Sequence, residues 1–532
     1  MKANPHFVHR LYAIAFAVLL VAGVSLSTAQ DDPVDQANAL YNDIRPEIRS
    51  DPILLPALAD LEIPPANIRD IPAAIFLTPG SPGWDGAVAW AQRPAQTRAL
   101  DAMERVTTAT GYVDIFGIAQ GYGRDAASPE LVEAGIYTEL GSPPLLADAK
   151  FLYLDAVEHL AILANVEATR RLSSGDPGGA LDLMVRLTAL GDQVADREFV
   201  QEAEAGYAMM IDALHRARDI VYSDFRGERA IDPEALVDAI TRLEDGTGVL
   251  AIERLNFPRA NRIAAKQIIN EVYRPSGSVE PGVFGATIVR LKAVGRPLQQ
   301  FAAAGVDPNA ADEQQNIIDI NDSLDQVMQD YLSRWDLPRF AAPQQLPFRI
   351  EEIDDDATLA IGEAMLYRSE GEDRHGGYLF TLRTVAKVER IGTRLALAHV
   401  GRYYEQGLLA PQITSVRPRW LRSTEEDPWS PERRSGRLPQ MQFFVPIRDG
   451  FSADPLRDPD PHTMTVEVSD DFEFDVTLGD DTFVLYSVGP DGEKGNAMTV
   501  SIEYDAVRSD YLLWPPFISL LREQLGSSGG LR

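Results

Sequence analysis

The chain reads as a mainly α N-terminal helical bundle joined to a C-terminal α+β domain, in which a long helix lies on an antiparallel sheet. Three observations predict this. Apolar residues recur at steps of three and four between Leu145 and Asp224. From about Gly377 to Gln406 the spacing is again helical, with Val388, Ile391, Leu395 and Ala398 on one face. Beyond Gly407 the apolar period falls to two, the mark of half-buried strands.

The first residues carry an export signal. Lys2, His6, His9 and Arg10 form a basic start, Leu11 to Val24 an apolar core, and Ser27 and Ala29 the small residues of a cleavage site before Gln30. The core is shorter than the roughly 20 residues of a spanning helix, so cleavage is expected in preference to an uncleaved anchor. The expected signal peptide therefore covers residues 1–29, and the expected location is extracytoplasmic, periplasmic or secreted.

Residues 30–144 form a proline-punctuated region of short helices and loops, because each proline stops or starts an element. Trp84 opens a helix running towards Thr108, followed by a glycine-rich stretch from Gly111 to Gly123. Residues 145–350 are the bundle. Leu145, Ala149, Leu152, Ala156, Leu160 and Leu163 mark its first helix. Leu183, Leu187, Leu190 and Val194 mark the second, and Phe199, Ala203, Tyr207, Met210, Leu214, Ala217 and Val221 the third. Asp176 and Pro177 supply an N-cap and a first helical residue, and Asp232 and Pro233 repeat the signature. Gly175-Asp176 followed by Ala180-Leu181 resembles one tetratricopeptide-type hairpin. A single copy does not make a solenoid. Further helices are expected over 232–244, 249–273, 284–303 and 311–335.

Residues 351–376 are an acidic linker or helix. Glu351 to Asp356 suits a solvated helix start, with a divalent-cation site as the sharper alternative. In the domain over 377–520, Met464, Val466 and Val468 alternate with polar residues, as do Phe472, Phe474, Val476 and Leu478, and then Val500, Ile502 and Tyr504. Residues 521–532 form a flexible tail.

Composition excludes several functions. There is no cysteine, so thiol catalysis, disulfides and cysteine metal sites are out. A formal net charge of −31 repels a phosphate backbone or an anionic leaflet, which excludes nucleic acid and, after signal cleavage, a membrane. Of the histidines outside the leader, His159 and His215 flank apolar helix residues. His375, in a glycine-rich loop, is the least constrained, and His399 and His462 complete the set. None forms a close ligand pair. No Gly-x-Ser-x-Gly elbow, phosphate-binding Gly-Lys-Ser/Thr motif or complete dinucleotide fingerprint is present. Trp420, Trp429 and Trp514 read as core cover in a small sheet domain, with a carbohydrate or peptide groove as the alternative.

Three stretches carry a resemblance. Leu395 to Gly407, the Asp427-Pro428-Trp429 turn, and Leu485-Tyr486-Ser487-Val488-Gly489-Pro490-Asp491-Gly492 follow one another as in the globular domain of the major pseudopilin of type II secretion systems. Residues 377–520 therefore resemble a pilin-like domain. The pairing with an upstream helical region is similar to exported proteins of planctomycete-type bacteria. In the pseudopilins the loop after Asp-Gly often binds calcium. Here Asp491 matches its first aspartate and Asp510 the later one, while the Gly-Gly-Glu between them is missing and Met498 to Tyr504 reads as an inserted strand. Calcium at Asp491 and Asp510 is one expectation, and an ordinary turn the other. With the export signal and the missing catalytic motifs, the leading expectation is a non-catalytic extracytoplasmic scaffold whose pilin-like module contacts a protein partner in the envelope or exterior. The alternatives are a secreted hydrolase acting on an extracellular polymer and a calcium-dependent binding module. Converging carboxylates or a partnered histidine in a deep pocket would favour the enzyme.

Overall fold

Aspartate and proline begin most of the N-terminal helices. The computed structural model describes residues 32–108, 116–246, 250–274, 276, 278, 281–292, 317–335, 378–430, 440–446, 462–469, 471–502 and 509–527. The leader, the acidic segment 351–376 with His375, and the last five residues lie outside that set.

Helix α1 (Pro33–Ala39) is capped by Asp32, whose carboxylate accepts from the Val34 amide at 2.9 Å. Then come α2 (Asp51–Ala59), α3 (Ile71–Phe76), α4 (Trp84–Ala91), α5 (Pro94–Thr107) and α6 (Pro129–Glu133). The single helix expected from Trp84 is two, because Pro94 starts a new one after extended Arg93. Strand β1 (Thr138–Glu139) pairs with β2 (Lys150–Phe151), which removes Leu145 and Ala149 from the first bundle helix. That helix, α7, is Leu152–Ser173, followed by α8 (Pro177–Ala195) and α9 (Val200–Arg226). Asp176 caps α8 through the Gly179 amide at 2.8 Å, as its position predicts. Helices α8 and α9 cross closely at Gly191 and Gly206, where a Cβ on Gly206 would lie 2.6 Å from the Gly191 carbonyl oxygen.

Next are α10 (Pro233–Arg242), α11 (Ala260–Val272), α12 (Pro281–Lys292) and α13 (Ile317–Trp335). The helix expected from 249 begins only at Ala260. Upstream, Leu250 bridges to Asp245 and the Glu253 amide bonds the Asp245 carboxylate at 3.2 Å, so that backbone is committed elsewhere.

The long helix α14 is Tyr378–Gln406. Its whole circumference is buried from Val388 to Val400, not one face alone. One side packs on α9 and α10, the other on the sheet. Gly392 sits where a Cβ would come 2.4 Å from the Leu513 side chain, so glycine allows the close approach to the sheet.

Among the described residues the C-terminal sheet has six strands: β3 (Gln442–Phe444), β4 (His462–Ser469), β5 (Phe472–Leu478), β6 (Val484–Ser487), β7 (Thr499–Ser501) and β8 (Asp510–Trp514). Their order is β3-β6-β8-β7-β4-β5. The expected antiparallel sheet is in fact mixed. Strands β3–β6, β6–β8 and β4–β5 pair antiparallel, but β7 lies parallel to both β4 and β8. Strand β7 belongs to the connection between β6 and β8. Phe483, Leu485, Tyr511 and Leu513 face the core shared with α14 and the bundle. Val484, Tyr486 and Leu512 face a second core with Met464, Val466, Phe517 and Leu520. The last two belong to α15 (Phe517–Ser527), so both sheet faces are covered.

Helix α15 also clasps the bundle. Buried Asp219 of α9 accepts from Ser519 Oγ at 2.6 Å and from Arg522 at 2.8 Å. Among the described residues no helix is long and apolar enough to cross a membrane.

Candidate functional site

The middle of α14 carries charge into the interior. Glu389 is fully buried, and His215 Nε2 of α9 meets its Oε1 at 2.7 Å. The Arg218 guanidinium contacts its other oxygen and donates to Thr393 Oγ1 at 2.7 Å. Tyr511 of β8 places its hydroxyl 3.3 Å from the same His215 nitrogen, and Trp429 lies edge-on to the Tyr511 ring at 5.1 Å. Burial alone pushes the Glu389 carboxyl up, but the charges of Arg218 and His215 outweigh it and hold the group down at about 2. Asp212, one turn before His215, goes the other way. Burial raises it to about 6; His215 lowers it and Glu389 adds to the rise. The side chain of His215 remains 12% exposed. This arrangement orients an imidazole between an ionised carboxylate and a phenol, and it fastens α9, α14 and the sheet together.

Beside it, on the next turn of α14, is a polar cleft of about 330 Å³. Glu244, Asp245, Glu253, Glu425, Arg254 and Arg394 line it. Arg390 and Arg394 both bind Glu425, Lys387 binds Glu253 at 3.1 Å, and Arg394 reaches Glu244 at 3.4 Å. Asp245 makes no ion pair among the described residues. Its Oδ1 is buried without a hydrogen-bond partner. Burial raises its carboxyl, Arg390 opposes this, and Glu253 and Glu425 add to the rise. The converging carboxylates and the partnered histidine are thus separate places, since His215 does not line the cleft.

A third polar cluster joins the N-terminal region to the bundle. Glu202 accepts from Tyr122 at 2.8 Å, Tyr153 at 2.5 Å and Arg197 at 3.0 Å. The Arg197 guanidinium lies 4.2 Å above the Tyr41 ring and 5.0 Å from that of Tyr122. No local sequence pattern announces the tyrosines, because Tyr153 and Tyr122 lie 49 and 80 positions from Glu202.

The residues singled out in the sequence are scattered. Asp491 is exposed on the turn after β6, and its Oδ1 accepts from the Glu493 amide at 2.8 Å. Asp510 is buried, and its two oxygens accept from the Gly495 amide at 3.1 Å and the Ala497 amide at 2.6 Å. Burial raises Asp510 to about 6 despite those amides, and Asp491 adds to the rise. Calcium needs six to eight oxygens. Asp510 already directs both of its oxygens at N–H donors, and among the described residues no three His, Asp or Glu side chains gather as a metal-binding group. Asp510 acts as a clasp on the 495–497 turn.

His399 is buried in the core, stacked on Phe443 at 4.2 Å, and burial pushes its imidazole down to about 3. His462 bonds the Ala497 carbonyl at 3.0 Å. His159 is half-buried on α7, where burial lowers it. Trp514 stacks on Phe483 at 5.0 Å and Trp420 packs on Gly401, both inside the core. Trp429 is half-buried.

Two of the three stretches that carry the resemblance touch. Asp427 of the Asp-Pro-Trp turn accepts from Ser487 Oγ at 2.7 Å and from the Val488 amide at 3.2 Å. In comparisons with known proteins, the chain matches no family model, no curated protein and no solved structure.

Proposed function

We propose that this protein is a non-catalytic extracytoplasmic scaffold, a helical body carrying a pilin-like C-terminal module that contacts a protein partner. The observation that supports this reading is the Asp427–Ser487 bond, which joins two separate pseudopilin-like stretches into one local structure. The mode of assembly agrees with it. Buried charges join distant segments: Glu389 to α9, Asp219 to α15, and Glu202 to the N-terminal tyrosines. A rigid platform requires such fastening, because a buried charge stripped of its partner costs about 3–5 kcal/mol.

The test is made in the producing cell. N-terminal sequencing of the exported protein should begin near Gln30. Photo-crosslinkers at the exposed apolar positions Leu408 (71% exposed) and Phe472 (38% exposed) should give adducts of one reproducible mass from the envelope or medium. Retention of Met1 in the membrane fraction, or monomer-sized bands from both positions, overturns the reading.

The carboxylates of the cleft favour a second reading, a secreted hydrolase acting on an extracellular polymer. It predicts release of reducing ends or peptides from a polymer panel, abolished by Asp245→Asn or Glu253→Gln.

A further inference from the structure

We propose that the open edge of β5 takes up an extended segment of the partner protein as an added strand, one in which lysine or arginine alternates with apolar residues. The inference rests on the interaction reading above only for the partner being a protein.

Strand β5 ends the sheet, and its seven residues pair on one side only, with β4. The direction of its free backbone groups follows from its neighbour. The Thr465 amide of β4 donates to the Met498 carbonyl at 2.9 Å, so Thr465 turns its backbone towards β7. Asp475 stands opposite Thr465 and therefore points its own N–H and C=O away from β4. Glu473 and Thr477, two residues to either side, do the same. The side chains agree. Thr465 Oγ1 donates to Asp475 at 2.8 Å, and Thr463 Oγ1 meets Thr477 Oγ1 at 3.1 Å, the close approach of cross-strand pairs that share no backbone bond. Among the described residues nothing bonds the outward backbone groups of Glu473, Asp475 and Thr477. An incoming strand meets a row of aligned donors and acceptors there.

The two faces of β5 decide what that strand carries. Glu473, Asp475 and Thr477 are exposed on one face. Phe472, which is 38% exposed, lies on the other with Phe474 and Val476, and the last two border the second core. A strand laid alongside continues both faces, because side chains directly opposite in a sheet share a face. Cationic residues beside Glu473 and Asp475, and apolar ones beside Phe472 and Val476, complement both. A second copy of this chain does not. The antiparallel self-pairing that uses all three outward residues sets Asp475 against its own counterpart, and each copy carries a formal net charge of −31. Edges are commonly guarded by proline or lysine, and β5 has neither. Its acids repel copies of itself and leave the edge open to a basic strand.

The test titrates the full-length protein with the peptide acetyl-Lys-Val-Lys-Val-Lys-Val-Lys-amide. The Glu-Val counterpart and the lysine peptide N-methylated throughout are the controls. Hydrogen exchange resolved by residue should find the amides of Glu473, Asp475 and Thr477 fast in the free protein and slowed about tenfold by saturating lysine peptide, with neither control slowing them. Glu473→Lys combined with Asp475→Lys should weaken the lysine peptide about tenfold and confer binding of the glutamate peptide. That gain is not produced by a misfolded variant. The same charge change at exposed Glu47 and Glu228 should leave both affinities as they are. Slow exchange of the three amides in the free protein means that the chain already covers its own edge, and overturns the proposal. Equal binding of the N-methylated peptide, which leaves charge alone holding the ligand, overturns it too, as does an unchanged preference in the charge-reversed variant. Crosslinking from Leu408 tests the scaffold reading independently, so these failures leave that reading standing.

Discussion

His215 and Glu389 meet at 2.7 Å although 174 residues separate them in sequence. The pair joins the third bundle helix to the long helix, and its consequence is pH-dependent. Glu389 is held at about 2, below its ordinary value of 4.5. A depressed carboxyl binds its proton more weakly in the folded state than in the unfolded one. Its stabilisation is therefore complete above about pH 4.5 and is lost as pH falls towards 2. The expected contribution is on the order of 3 kcal/mol. Urea unfolding across this range should show the loss in the parent, and Glu389→Gln should flatten it.

Glu204 predicts the opposite sign. It is buried, its Oε1 has no partner, and burial raises it to about 8. A raised carboxyl contributes most below its unfolded value, and that contribution disappears as pH rises towards 8. Glu204→Gln should leave melting nearly unchanged in mild acid and raise the Tm by several degrees near pH 8. A Tm difference independent of pH would show that Glu204 is neutralised by another route.

Leu187 is 1% exposed on α8. Leu187→Asp should cost roughly 3 kcal/mol or more by burying an unpaired charge. Chemical denaturation measures it, and parent-like unfolding would place the α8 core face elsewhere.

Asp510 decides whether the turn after β6 is a metal site or a clasp. Both of its oxygens hold backbone amides, so millimolar calcium should leave the melting curve unchanged, while Asp510→Ala should lower the Tm. A calcium-dependent rise in Tm that Asp491→Ala abolishes would show instead that the turn rearranges around the ion.

What the sequence made legible was local. The stripes of α8 and α9 and the caps at Asp176 and Asp232 depend on neighbours within a few residues, and the structure has them. The alternation of β4 was readable for the same reason. Parallel pairing of β7 was not, because no local pattern specifies a partner strand across a long connection. The long helix misled in another way. Glu389, Arg390 and Arg394 break up its apolar pattern, so only one apolar face was read on it. Those side chains are buried and paired with α9, Glu425 and α10. Polar residues that spend their charge inside a protein look in sequence like polar residues facing water. The His215 cluster and the cleft were hidden by the same effect.

The clasp of Asp219 by Ser519 and Arg522 also bears on the order in which the molecule can be completed. Asp219 belongs to the central bundle helix, yet two of its partners are encoded about 300 residues later. During synthesis the helix is made, and its neighbours with it, long before the groups that neutralise its buried carboxylate exist. Until the final helix arrives, Arg216 is its only charged partner among the described residues. The bundle must wait, partly wet, for α15 to close it, and only a chain translated past Arg522 can make this clasp.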